Sequence, residues 1–145
     1  MHRAYTRGAG ISEGWTRLYI ISFEYYLVNI NLNTLISCSS TNDLAYQGAL
    51  DGLDEGNSFL SYSQTKGRGR NDNKWTSLKG NLFLSTIIRP KTEKKNWQQL
   101  SLIVAFSVIE VLLKFGIKEN QIELKWPNDI LVNNKKIAGI LLESS

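Results

Sequence analysis

Two short stretches of this chain combine residue types that could do chemistry. Gly67-Arg68-Gly69-Arg70, followed by Trp75, sets two guanidiniums among glycines. Glycine leaves the backbone N–H groups open to oxygen ligands, and each arginine can add charge-assisted hydrogen bonds worth about 1.5–3 kcal/mol when shielded from water. Lys125-Trp126-Pro127-Asn128-Asp129, with Lys136 and Gly139 beyond it, sets two lysines and an aspartate on a turn and a hairpin. Cations on two pieces of backbone suit a site that holds two anions against each other. Activating an acid with a nucleotide requires such a site.

Composition removes several other chemistries. The chain of 145 residues has one cysteine, Cys38, and one histidine, His2. An internal disulfide, Cys/His zinc sites, Ser-His-Asp and Cys-His catalysis all fall away, and no metal-ligating set is read from the sequence. The lone cysteine suits a reducing, cytoplasmic compartment. At 42% hydrophobic and 21% charged, this is one globular domain's worth of chain. The net charge of +4 is concentrated: residues 61–95 carry nine Lys/Arg against two Asp/Glu. That cluster would gather anionic ligands. A solvated basic face or an RNA-contacting Gly-Arg segment fits the same residues. The glycine loop matches neither the phosphate loop ending in Gly-Lys-Ser/Thr nor the dinucleotide fingerprint. The uncharged run from Asn96 to Ile109 is too short to cross a bilayer, so no membrane span is expected. Residues 1–17, with Arg3, Arg7 and Arg17, faintly echo a transit peptide but read better as a non-native or poorly ordered leader, and Leu18–Val28 is apolar and aromatic but carries Glu24.

The elements that must position these residues follow from pattern. Leu27–Ser37 contains a strand. Ser40 and Asp43 fit a capping box for a helix running to about Leu50. Ser58–Gln64 is a strand leading into the glycine loop. Asn81–Arg89 is another, with Leu82, Leu84 and Ile88 on one side and Phe83, Ser85 and Ile87 on the other, which reads as mid-sheet. Leu100, Ile103, Val104, Val108, Val111, Leu112 and Phe115 recur at helical spacing and predict a core stripe, with Gly116 as the stop. Ile122–Trp126 is a strand pointing Ile122, Leu124 and Trp126 inward. A type I′ turn at Asn133-Asn134 then pairs Leu131 with Lys136, Ile130 with Ile137 and Asp129 with Ala138. Ile130, Val132 and Ile137 should meet the core. Asp129 and Lys136 become diagonal neighbours, and Ala138 and Gly139 leave a low surface for a ligand. The expected fold is α/β: a mixed sheet with packed helices and the functional loops at one edge.

Ser40-Thr41-Asn42, Gln64-x-x-Gly67-Arg68-Gly69-Arg70-x-x-x-x-Trp75, Gly80-Asn81-Leu82, and Lys125-Trp126-Pro127-Asn128-Asp129 followed by Lys136-Ile137-Ala138-Gly139 closely resemble the biotin–protein ligases in order and spacing. The resemblance runs from about Leu35 to Glu143. It implies the biotin–lipoate ligase catalytic core, which is like that of class II aminoacyl-tRNA synthetases, as a partial domain over 35–145 that is incomplete at its C-terminus. Residues 1–34 would be an N-terminal extension, with no helix-turn-helix repressor domain. The implied substrates are biotin and ATP with Mg²⁺, giving biotinyl-5′-AMP. The implied partner is the biotin carboxyl carrier domain of a carboxylase, with a complementing C-terminal segment.

By the same resemblance, Ser40, Thr41, Asn42 and Gln64 would bind the biotin head group. Gly67, Arg68, Gly69 and Arg70 would lie over the carboxylate and phosphate, with Trp75 covering the adenylate and Gly139 beneath. Lys136 would be the principal catalytic cation, joined by Arg70, Lys125 and Asp129, while Asn128 and Asp129 would position the metal or the acceptor lysine. Three other readings stay open: an inactive biotin-binding remnant or half of a split ligase, a lipoate ligase relative, and a basic nucleic-acid-binding domain. Asn128 and Asp129 also fit as mere turn formers, and Lys125 as a solvated strand residue.

Overall fold

The computed structural model describes residues 30–144. The transit-like leader, the apolar Leu18–Val28 stretch and nearly all of the expected N-terminal extension lie outside the described residues. Strands β1 (Asn31–Leu35), β2 (Asn57–Ser61) and β3 (Phe83–Thr86) form one three-stranded sheet, with helix α1 (Thr41–Leu50) inserted after β1. Helix α2 (Leu100–Lys114) then leads to a second sheet of β4 (Ile122–Lys125), β5 (Asp129–Val132) and β6 (Lys135–Gly139). The α/β class is as expected, but the strands divide into two sheets.

In the first sheet β1 runs parallel to β2, and β3 antiparallel to it. The parallel pair is joined through α1, the crossover that such a pair requires. Ser40 caps α1 as expected, its Oγ accepting from the Asp43 N–H at 3.4 Å. The helix lies close to the sheet at Gly48, where an added Cβ would come within 2.8 Å of Leu53 and 3.4 Å of the Phe59 ring. Phe83 and Ile87 are buried on that side. The opposite side is not covered: Leu32, Leu82, Leu84 and Ile88 are exposed. Nor is β3 mid-sheet, since it forms an edge beside β2 among the described residues. Apolar residues on both faces announce two contacts, and only one is made among the described residues.

Helix α2 departs from expectation in the same way. Of the expected core stripe, Ile103, Val104, Val111 and Phe115 are exposed. The buried positions are instead Ser101 and Ala105, the latter fully so, on the side that packs against β5. A helix apolar on every side has no periodicity by which to choose its inner face. With the preceding 3-10 turn (Lys94–Gln99) it makes one helical stretch, Lys94–Lys114, of 21 residues, within which an 18-residue window has a mean hydropathy of 1.4. By length and composition alone that could cross a membrane, which a count interrupted at Glu110 misses.

The second sheet is an antiparallel meander. Asn133 and Asn134 both have positive φ, 50° and 62°, as the type I′ turn demands. The first two pairs beyond it are as expected, Val132 with Lys135 and Leu131 with Lys136. A bulge then intervenes, so that Ile130 pairs with Ala138 and Asp129 with Gly139. Ile137 becomes the extra residue of the bulge and is 48% exposed, while Ile130 is fully buried. Trp126, expected inward, lies just past the end of β4 and is 69% exposed.

Candidate functional site

The first cluster forms where the first sheet meets the start of α1. Strand β2 ends at Ser61, short of the expected Gln64, but the chain rejoins it as a single parallel bridge between Cys38 and Gln64. This sets the Gln64 amide under the helix. Its Oε1 accepts from the Thr41 N–H at 2.7 Å and from Thr41 Oγ1 at 3.1 Å. Thr41 Oγ1 also lies 2.8 Å from Ser85 Oγ, which in turn donates to Asn42 Oδ1. Ser40 and Thr41 are buried, and with Asn42, Gln64 and Ser85 they make a partly sheltered cleft of five polar side chains. Such a group suits a neutral, multiply hydrogen-bonding ligand head. Ser85 belongs to the cluster and was read only as one face of a strand.

The glycine loop folds back on itself. Gly69 N–H donates to Asn73 at 2.7 Å, Trp75 N–H donates to Gly67 at 3.0 Å, and Arg68 bridges to Lys74. Within it Arg70–Asp72 makes a short 3-10 turn with Asn71 at φ 54°. The fold-back carries the Trp75 indole onto the second sheet. A Cβ on Gly69 would lie 2.5 Å from Trp75 Nε1, and one on Gly139 would lie 2.7 Å from its Cζ2. The two glycines are the space the ring occupies. The low surface at Gly139 therefore receives a side chain of this same chain.

Against that ring sits the second cluster. Lys136 Nζ lies 5.1 Å from the Trp75 ring centroid, within cation–π range. It also pairs with Asp129 Oδ2 at 2.8 Å, so the expected juxtaposition of Asp129 and Lys136 holds despite the bulge. Asp129 Oδ1 is buried and has no hydrogen-bond partner among the described residues. Lys125 pairs in register with Asp129 and so shares its face, exposed. Asn128 is occupied structurally: its side-chain amide donates to the Ile140 carbonyl at 2.9 Å and its backbone carbonyl accepts the Ile140 N–H at 2.9 Å. Arg70 is exposed, with no hydrogen bond or ion pair from its guanidinium among the described residues.

Arg68 is engaged differently. Its Nε and Nη2 bind Glu143 at 2.9 and 2.8 Å, and Nη1 binds Asp43 at 2.6 Å. Glu143 also accepts from the Asn42 amide at 3.0 Å. The Glu143 carboxyl is held below its ordinary value, first by the hydrogen bonds from Arg68, against a partial burial that pushes it up. The Arg68 guanidinium is correspondingly raised, chiefly by Glu143. An open cavity of about 540 Å³ lined by Asp43, Tyr46, Arg68, Glu143 and Ser144 adjoins this group. Its two carboxylates make it a poor place for another anion. Glu143 enters the sequence analysis only as the end of the resemblance; nothing in its spacing marks it as a partner of Arg68.

Residues 34–145 match the model of the biotin/lipoate A/B protein ligase family, and the chain belongs to that family. It is 40% identical over 109 residues to the bifunctional ligase/repressor BirA of Bacillus subtilis, covering 72% of this chain and 32% of that one. It is 36% identical over 111 residues to the biotin–[acetyl-CoA-carboxylase] ligase of Paracoccus denitrificans, covering 77% of this chain and 46% of that one. Among solved structures, the biotin protein ligase of Aquifex aeolicus in complex with biotin and ATP superposes with a TM-score of 0.68 at 36% identity, over 79% of this chain and 47% of that one. That of Leishmania major in complex with biotinyl-5-AMP gives 0.68 at 29%, over 81% and 53%. The chain thus spans about a third to a half of the length of these relatives.

Proposed function

We propose that this chain carries the biotin- and nucleotide-handling part of a biotin–protein ligase, the domain lying within 35–145. The observation that carries the reading is the convergence of the Ser40–Thr41–Asn42–Gln64 cleft with a loop whose Trp75 lies across Lys136. The supporting likeness is to ligases solved with biotin and ATP or with biotinyl-5-AMP. Biotin's ureido head would exchange hydrogen bonds with the cleft, and its carboxylate would extend toward Lys136 and Arg70. A carboxylate oxygen attacks the α-phosphorus of ATP, the bond to the β-phosphate oxygen breaks, and pyrophosphate leaves. An acceptor lysine amine, on a biotin carboxyl carrier domain, then attacks the acyl carbon, and AMP departs with the bonding pair.

Within this scheme Lys136 exchanges Asp129 for the two anions and offsets their repulsion as they meet. Lys125 and Arg70 add charge at the phosphates, and Trp75 keeps water from the mixed anhydride. The unpartnered Asp129 Oδ1 suits one position of a Mg²⁺ whose other ligands come from phosphate and water. When bound, that ion would neutralise phosphate charge. The lone Cys38 thiol is in keeping with a reducing, cytoplasmic setting.

A second reading, biotin binding without appreciable turnover, is favoured by the uncovered apolar sides of α2 and the first sheet. On that reading further polypeptide, in this chain or another, covers them and completes the nucleotide pocket. Calorimetry with biotin, then pyrophosphate release with biotin and ATP, separates the two. Binding with weak release supports the second and full turnover the first; no biotin binding overturns both. Where release is measurable, Lys136→Ala should lower it by about 10²–10³, the loss typical of one charge-stabilising donor.

A further inference from the structure

We propose that the Arg68 side chain acts as a positioning residue and that Glu143 is its essential counterpart. Together they tie the glycine loop over the cleft. Three of the guanidinium's donors are spent on carboxylates: Nε and Nη2 form a fork with Glu143 at 2.9 and 2.8 Å, and Nη1 meets Asp43 at 2.6 Å. A fork–fork pair fixes direction as well as distance. A guanidinium facing two carboxylates carries no net attraction to spare for a third.

The tie reaches into the cleft. Glu143 Oε2, the oxygen that takes Arg68 Nη2, also accepts the Asn42 amide at 3.0 Å. Asn42 Oδ1 in turn takes the hydroxyl of Ser85, and that hydroxyl lies 2.8 Å from Thr41 Oγ1. Arg68 Nη1 touches Ser40 Oγ at 3.4 Å. One carboxylate, beyond the end of β6, thus holds both the glycine loop and the orientation of the cleft's hydroxyls and amide. Anion binding in this loop is left to its backbone N–H groups and to Arg70, whose guanidinium has no hydrogen bond or ion pair among the described residues.

The proposal rests on biotin being the ligand, and the two roles of Arg68 predict opposite signs. If Arg68 bound the ligand's carboxylate, Glu143→Ala would release it and remove a nearby negative charge, so biotin affinity would hold or rise. As a tie, Glu143→Ala weakens biotin about tenfold, Arg68→Ala does the same, and the double variant is no worse than either. Calorimetric titration of the full chain and these variants with biotin reads this. Amide hydrogen exchange without ligand provides an arm that needs no biotin: Gly69 and Trp75 should exchange faster in both single variants, with unchanged circular dichroism confirming the fold. Arg68→Lys should fall between, since an ammonium cannot form the fork. Unchanged exchange, or unweakened affinity in Glu143→Ala beside a weakened Arg68→Ala, overturns the tie. Absence of biotin binding by the unaltered chain overturns the functional reading instead, and the exchange arm still decides whether Arg68 and Glu143 hold the loop.

Discussion

Gly69 and Gly139 both abut a single indole, and neither leaves room for a methyl group, since an added Cβ would lie 2.5 and 2.7 Å from the Trp75 ring. Gly139→Ala should therefore displace the ring and cost about 1–3 kcal/mol of overpacking, read from urea midpoints. In a Trp75→Ala background the same substitution should cost close to nothing. An equal cost in both backgrounds would mean that the ring does not occupy this space. The residue types at this site were legible in the sequence, because short cationic and glycine-rich strings carry their chemistry with them. Ser85 and Glu143 were not. Each acts through partners distant along the chain, Thr41 and Asn42 for Ser85 and Arg68 and Asn42 for Glu143, and no local spacing records such pairings.

Elements were legible wherever a local signal set them. Ser40 and Asp43 placed the start of α1, and Asn133-Asn134 placed the turn and the first two pairs of its hairpin. The bulge between Ile130 and Leu131 was not foreseeable from alternation, since Ile130, Ile137 and Ala138 are all apolar and either register buries an isoleucine. The inner side of α2 was lost for a related reason, apolar residues on every face. Substitution can read that side directly. Ala105→Leu, at a fully buried position, should cost about 1–3 kcal/mol, whereas Phe106→Lys, on the exposed side, should change stability by less than about 0.5 kcal/mol. Comparable losses from both would show that α2 is enclosed on both sides.

Across the whole molecule, Glu143 links the loop and helix of the first sheet to the end of the second. Because its carboxyl is held below the ordinary glutamate value, folding favours the charged form. Its contribution is fully present above the unfolded value and is lost as pH falls through the lower folded one. The stability gap between the unaltered chain and Glu143→Gln should then be constant near neutrality and close under acid conditions, in urea titrations at several pH values. A gap that persists in acid would mean the pair contributes through packing alone. With both carboxylate partners about one third exposed or more, the gap should be small.

The Trp75–Lys136 stack also has an optical consequence. Indole emission shifts with the electric field across the ring, and here an ammonium sits 5.1 Å from its centre. Any anion that draws Lys136 away from the ring, or any molecule that lifts the ring off Gly139, alters that field at once. The chain therefore carries an intrinsic fluorophore at its proposed reaction centre, and occupancy there can be followed in real time without a label.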